Sequence, residues 1–455
     1  EVPYLADPRE AELLPGVAES LARLHRAGVL VQVLEAQDDV GGRIRTDLVD
    51  GFRIDRGFQV LLTAYPEVQD LIDLEALELE AFTPGALVQW GGRFHRIVDP
   101  FRHPAQAFAG ALAPIGSLGD KLRVARLRGR LRGQTLEAIF HGKETTTADA
   151  FVEEGLGASM RERFLAPFYR GILLDPDLRT SSRLFRFIFR MFAEGDAALP
   201  AGGMQRLPEQ IAAKLPAGTV RPGVRVRALE DGAVVLEDGS RLEGAPVVVA
   251  TEGFEARRLL NGRGDREPGG SESWRGTACL SFDAPQSPVP EPLLVLNGHG
   301  IGSGPVNHLA VPSEVQPGYA PAGRSLVSAS VVHGAWPADR VADDEVLERD
   351  VRDQLGSWYG DTVQDWRLLR IDRVRHALPS QRPGELPDDG WAERIAPGLF
   401  VCGDHMAGAS IQGALRSGRR AAEGVLQARA AGKDLLLPAQ GELVQGRPIM
   451  PPELP

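Results

Sequence analysis

Cysteine is nearly absent: Cys279 and Cys402 are the whole complement of a 455-residue chain. A disulfide scaffold is excluded, and two thiols in so long a chain point to a reducing compartment. Long apolar runs are missing too. The longest, near Ala107–Gly116, falls short of the roughly 18 residues a spanning helix needs. There is no basic excess, since 51 Lys and Arg face 62 Asp and Glu for a net charge of −11. That balance excludes a broad phosphate-binding surface and hence nucleic acid as a general partner. The opening segment EVPYLADPREAELLPG lacks a basic n-region and an apolar h-region, so no signal peptide is expected and the expected compartment is the cytoplasm. The nine histidines show no metal-ligand spacing, so no metal is expected. No GxSxG elbow occurs either. What remains is an acidic, Gly- and Pro-rich chain, long enough for two or three domains or one two-part enzyme.

The punctuation reads as α/β. VLVQVLE (29–35) is a nearly continuous β-branched run, as a parallel strand buried on both faces would be. Before it, Val17, Leu21 and Leu24 share one helical face, with Pro15 at the start and Gly28 at the end. The stretch ALVQWGGRFHRI (86–97) predicts a hairpin, and 220–251 predicts hairpins with Asp-Gly turns ending in a buried strand. The strand GLFVCGD (398–404) leads into a helix expected from Gln412 to Ala428. Nucleotide-fold texture over 1–75, 200–267 and 376–435 predicts one discontinuous domain. The inserts 76–199 and 268–375 make the substrate side, and 436–455 is an irregular tail.

Four strings carry chemistry. In VLEAQDDVGGRIRT (33–46), Glu35 ends a strand where a ribose diol could be bound. Gly41 and Gly42 then allow close backbone approach to a pyrophosphate that Arg43 can pair with. In GFRIDRGFQVLLTAYPE (51–67), Gly57, beside Phe58 and Gln59, can bring backbone against a planar ring, or simply bound a hairpin. LPAGGMQRLPEQIAAKL (199–215) opens a helix with a glycine pair, an anion site or a tight turn. In LFVCGDHMAGASIQGALRSGRRAAEGVL (399–426), a strand stops at Gly403 and Asp404 and a helix begins near Gln412, Gly413 and Ala414. Its positive end can stabilise negative charge on a bound ring.

In this order the strings resemble the FAD-dependent flavin amine oxidase, phytoene desaturase and protoporphyrinogen oxidase superfamily over nearly the whole chain. The resemblance implies a Rossmann-like FAD-binding domain of the glutathione-reductase type beside a discontinuous α+β substrate domain. It implies that Glu35 binds the adenosine ribose, Arg43 the pyrophosphate, Val226 the adenine, and Asp404 the ribityl or phosphate portion. Gln412, Gly413 and Ala414 would lie under the pyrimidine, and residues 57–59 along the flavin edge. The family implies hydride passed to flavin N5.

Two departures shape the expectation. Counting back from Gly28, the GxGxxG positions hold Glu12, Leu14 and Val17, and the stretch 3–8 has no apolar run, so the first strand is expected to be lost. A relic, a compensated site or an erroneous stretch of sequence would each account for this; the intact later motifs favour FAD binding. Second, the lysines are Lys121, Lys143, Lys214 and Lys433, none in the second insert where many amine oxidases place one near N5. Nor does a cysteine follow Asp404, so FAD is expected to be non-covalent. The expected activity is hydride removal from an apolar or amphipathic small molecule. An amine oxidase with a rearranged site, or a non-catalytic scaffold, are the alternatives. His376 is the one catalytic side chain suggested, with a structural role the preferred reading. His405 is either near the cofactor or a loop cap. The Arg-studded segment 121–133 reads as a solvated helix face or a peripheral membrane contact. Phe185, Ile188, Phe189 and Phe192 read as core, or as a pocket lining.

Overall fold

The computed structural model describes residues 3–5, 28, 30–102, 113–230, 232–260, 274–385 and 394–432. Glu12, Leu14, Val17, Leu21, Leu24 and the tail 436–455 lie outside the described residues. The chain forms two compact units: Glu1–Arg43, Pro208–Glu272 and Asp389–Pro455 make unit one, and Ile44–Leu207 and Ser273–Asp388 make unit two. The division falls at Arg43 and Ile44 rather than near 75. The reason is visible in the pairing, where Leu61 joins Ala198 within unit two.

Unit one is built on a six-stranded sheet. Its order is Val220–Arg221, Gln32–Leu34, Pro3–Leu5, Val247–Val249, Leu399–Val401 and Arg394–Ala396, parallel except for the last. The first strand, expected to be lost, is present: the backbone of Pro3–Leu5 pairs on both sides at the sheet's centre. Pairing is a backbone property, and proline is tolerated at the first residue of a strand. The strands Val226–Glu230, Ala233–Leu236 and Arg241–Glu243 form an antiparallel sheet. The Asp238-Gly239 turn closes with the Leu236 amide on the Ser240 carbonyl. Leu34, Val226, Val234, Val249, Leu259 and Val401 share one core.

Unit two centres on a seven-stranded sheet, ordered Arg367–Pro379, Trp274–Ala284, Ser325–Val332, His308–Ala310, Leu294–Asn297, Gly85–Trp90 and Arg93–Val98. The last two form the expected hairpin, turning at Gly91 and Gly92, both at positive φ. One sheet face carries Ala278, Leu280, Phe282, Leu309, Val327, Ala329 and Val331. It packs on Leu347, Val351 and Leu355 of the helix Asp344–Tyr359. Full burial of each such leucine or valine contributes about 1.5–3 kcal/mol. Phe185 and Ile188 of the helix Ser182–Glu194 are core, with Phe185 edge-on to Phe151 and Tyr169; Phe189 and Phe192 are half-buried. The segment 121–133 lies mostly in the helix Leu118–Arg132, which starts in a Ser117–Asp120 capping box and leaves Leu118 and Leu122 exposed. Its Arg123, Arg128 and Arg130 pair with Asp120, Asp99 and Glu154. The glycine-rich stretch after Asn297 is a turn connecting two strands, with no helix behind it. Among the described residues no helix is long and apolar enough to cross a membrane.

A buried carboxylate ties unit two's hairpin Thr46–Val49/Phe52–Asp55 to the rest of that unit. Asp55 accepts from Thr46 Oγ1 at 2.5 Å, Tyr319 Oη at 2.8 Å and the Met204 amide at 3.0 Å. Burial pushes its pKa up to about 6 despite these donors. Asp55→Ala removes the acceptor of three part-buried donors and is expected to cost about 1–3 kcal/mol. Urea unfolding checks this; a loss below about 1 kcal/mol would show that water replaces the carboxylate.

Candidate functional site

Glu35 and Asp404 each sit just beyond the carboxyl end of a parallel strand, where open α/β sheets bind ligands. Glu35 is fully buried, and its Oε1 accepts the Gln37 amide at 2.7 Å. Its backbone is stitched to the approach of the next segment: Glu35 N donates to the Arg221 carbonyl, and Val224 N donates to the Glu35 carbonyl. This brings Val226, two residues on, to the same end of the unit. The Val226 side chain belongs to the core and its carbonyl accepts from Arg258 at 3.3 Å.

Arg43 and Asp404, far apart in sequence, meet: the guanidinium Nη2 lies 3.0 Å from Asp404 Oδ1, with the side chains 17% and 5% exposed. Gly41 and Gly42, leading to Arg43, both have positive φ, which lets backbone approach where a side chain would block it. Gly403, before Asp404, has its amide on Ser417 Oγ at 3.2 Å. His405 is buried beside the pair, 3.9 Å from Asp404, and its two ring nitrogens have no hydrogen-bond partner among the described residues. Burial brings its pKa down to about 4, so the ring is neutral at physiological pH.

The helix Ile411–Ala430 starts one residue before the expected Gln412. Ser410 caps it, accepting the Gly413 amide at 3.1 Å. Gln412, Gly413 and Ala414 are buried in its first turn. Gly413 has a packing reason independent of any ligand, because a Cβ there would stand 1.9 Å from the Gly408 carbonyl oxygen. A buried carboxylate at a strand end, a buried Arg–Asp pair and a capped helix N-terminus fit a dinucleotide that carries a flavin.

In unit two, Gly57 (φ +82) turns the chain into Phe58, and Gln59 Nε2 donates back to the Arg56 carbonyl. The Phe58 ring lies 6.0 Å edge-on to Phe82 and 5.4 Å from His308. His308 belongs to a set of polar residues that local sequence reading did not single out. His308 pairs with Ser330, Ser330 with Cys279, and Cys279 with Asp372, making one cross-strand row on the sheet face opposite the helix-packed core. The Cys279 thiol lies 3.1 Å from Ser328 Oγ. Burial pushes that thiol up to about 11 and brings His308 down to about 4. Asp372 is raised by burial and paired with Arg370 Nε at 2.9 Å. The legible signal was alternation, serines at 328 and 330 within the wholly buried strand SLVSASVV. His376 lies on the edge strand Arg367–Pro379, edge-on to Trp274 at 5.7 Å and outside that row. No group of His, Cys, Asp or Glu among the described residues could hold a metal.

The family model for flavin-containing amine oxidoreductases matches residues 22–426. The chain belongs to that family. This flavin-containing oxidoreductase is thereby an FAD-dependent enzyme. No curated protein matches it. Among solved structures it is similar to a protein from Exiguobacterium sp. assigned as a protoporphyrinogen oxidase, at 18% identity and TM-score 0.69 over 93% of this chain and 98% of that one. It is similar to a putrescine oxidase bound to putrescine, at 17% and 0.64 over 93% and 100%. It is also similar to a reduced UDP-galactopyranose mutase, at 14% and 0.66 over 94% and 95%. At these identities the likeness is one of fold.

Two outcomes follow for this flavoenzyme. Arg43→Met and Asp404→Asn should each destabilise by about 1–3 kcal/mol, since either removes one partner of a largely desolvated ion pair, while the double variant loses less than the sum. Strict additivity in urea unfolding would mean the pair is not coupled. For His405, the unfolded chain takes up a proton near 6.5 but the folded chain not until about 4. Between those values the unfolded state holds more protons, so stability falls as pH drops from 6.5 to 4, by on the order of 3 kcal/mol for this group. Denaturation midpoints at pH 7 and pH 5 should differ less in His405→Asn than in the parent.

Proposed function

We propose that the enzyme is a dehydrogenase or desaturase acting on an apolar or amphipathic small molecule, with FAD held non-covalently by a Rossmann-like unit one. Bound FAD supplies a two-electron acceptor at N5. Glu35 takes the adenosine ribose, the backbone at Val226 the adenine, and Arg43 the pyrophosphate. Asp404, oriented by Arg43, takes the ribityl or phosphate portion. The first turn of Ile411–Ala430, with Gln412, Gly413 and Ala414, places its positive end against the pyrimidine.

The observation that carries the substrate reading is the polar row of unit two. His308 neutral and Cys279 protonated offer hydrogen bonds without net charge, and Asp372 is already matched by Arg370. A cationic amine finds no spare carboxylate in that row, and the segment 215–432 contains no lysine. Such a wall suits a substrate whose reacting C–H lies in an uncharged frame, with the protein supplying position and exclusion of water rather than a titrating base. Family membership and the fold shared with putrescine oxidase support the second reading, an amine oxidase with a rearranged site.

The visible spectrum of the purified protein should show flavin bands, and heating should release the flavin to the supernatant. No bands, even after refolding with FAD, would sink the cofactor assignment. Under anaerobic conditions a panel of partly saturated apolar hydrocarbons should bleach the flavin where primary amines do not. Peroxide formed from an amine in air would transfer the assignment to the second reading.

A further inference from the structure

Unit two contains a cavity of about 450 Å³ lined by none of the residues assigned above to FAD or substrate. Three guanidinium groups, Arg161, Arg170 and Arg179, line it, with Glu162 and Asp177 as the acidic members. Asp177 is taken up by Arg179 at 3.4 Å. Arg170 spends its Nε on the Pro176 carbonyl at 2.8 Å, which pins the loop. Burial lowers its pKa even though Asp177 and Asp175 lie near enough to oppose that shift. Arg161 is less satisfied still: its Nε is buried with no hydrogen-bond partner among the described residues. Both arginines are half-buried, and a guanidinium nitrogen shut off from water is ordinarily hydrogen-bonded; Glu162 stands exposed at the rim.

The backbone around the cavity is built rather than incidental. Arg161–Leu165 is a π-helical turn, which re-aims Arg161 relative to Arg170 further along the same helix. The opposite wall is a loop in which Leu174 and Leu178 both adopt left-handed φ (49° and 54°), uncommon for bulky side chains. The buried Asp175 holds that loop, accepting the Thr180 amide and hydroxyl at 2.8 Å each. A strained loop held by a buried carboxylate keeps the Arg170 and Arg179 side in place.

We infer that this cavity is a binding site for an oxyanion, a carboxylate or phosphoryl group on a small molecule, clasped between Arg161 and Arg170. Planar guanidinium forks match both groups bidentately.

Calorimetric titration of the flavin-loaded, full-length protein tests it, using inorganic phosphate and succinate separately, at constant ionic strength against chloride. One saturable site per chain is expected for at least one anion, and the one that binds names the group. Arg161→Gln should weaken it at least tenfold without altering the flavin spectrum, and Arg161→Lys should recover part of the affinity. Arg170→Gln should act likewise. If that variant fails to fold once the Pro176 contact is lost, Arg161, which makes no such contact, keeps the test intact. Heats no different from chloride for both anions, or unchanged affinity in folded Arg161→Gln, would overturn the assignment.

Discussion

The buried pair Arg43–Asp404 is the constraint on which the rest of unit one's site depends. Removing a guanidinium and a carboxylate from water costs several kcal/mol per ion, which mutual attraction must offset. The 3.0 Å ion pair therefore draws two chain segments together: the turn that follows Gln32–Leu34 and the one that follows Leu399–Val401. Both turns come off carboxyl ends of parallel strands, so the pair also fixes the spacing of the two crevice walls. His405 is locked into the same knot as a neutral ring. The capped helix behind it can approach because Gly413 leaves room for the Gly408 carbonyl.

Unit two solves a different problem with the same physics. Its large sheet is apolar on the face that meets Asp344–Tyr359 and polar on the other, yet both faces are largely buried. Desolvation lowers His308 and raises Cys279, while Asp372, raised by burial, pairs with Arg370, which also bonds Asp47. A wall of neutral donors and acceptors discriminates by shape and hydrogen bonding. Charge attraction is left to the arginines elsewhere.

Much of unit one was legible because its signals are local. A β-branched run ending in Glu35 and a strand ending in Gly403-Asp404 need no knowledge of partners, and the helix after Ser410 began one residue from its expected start. What was misread depended on partners. Pro3–Leu5 has no apolar pattern, but two neighbouring strands supply its pairing. The hairpin after Arg43 looked continuous with the nucleotide texture, but Asp55 and Leu61 bind it into unit two. His308, Ser330 and Cys279 become a row through antiparallel register, which no spacing in the linear chain encodes.

The substitutions at the glycine positions, Glu12, Leu14 and Val17, alter where cofactor affinity must come from. Each charge-assisted hydrogen bond that a glycine loop would give a pyrophosphate is worth about 1.5–3 kcal/mol, or about one to two decades in affinity. Losing two or three would weaken a tight flavin site by several decades, and on the proposed reading Glu35, Arg43 and the Ile411–Ala430 terminus would have to supply what remains. Charge then decides the outcome. On the proposed reading Arg43 is the cation that would face the diphosphate, and Asp404 already neutralises it in part. A site so balanced should hold flavin more weakly at high salt than one with an intact glycine loop, because screening acts on charge and leaves hydrogen bonds to backbone amides largely untouched.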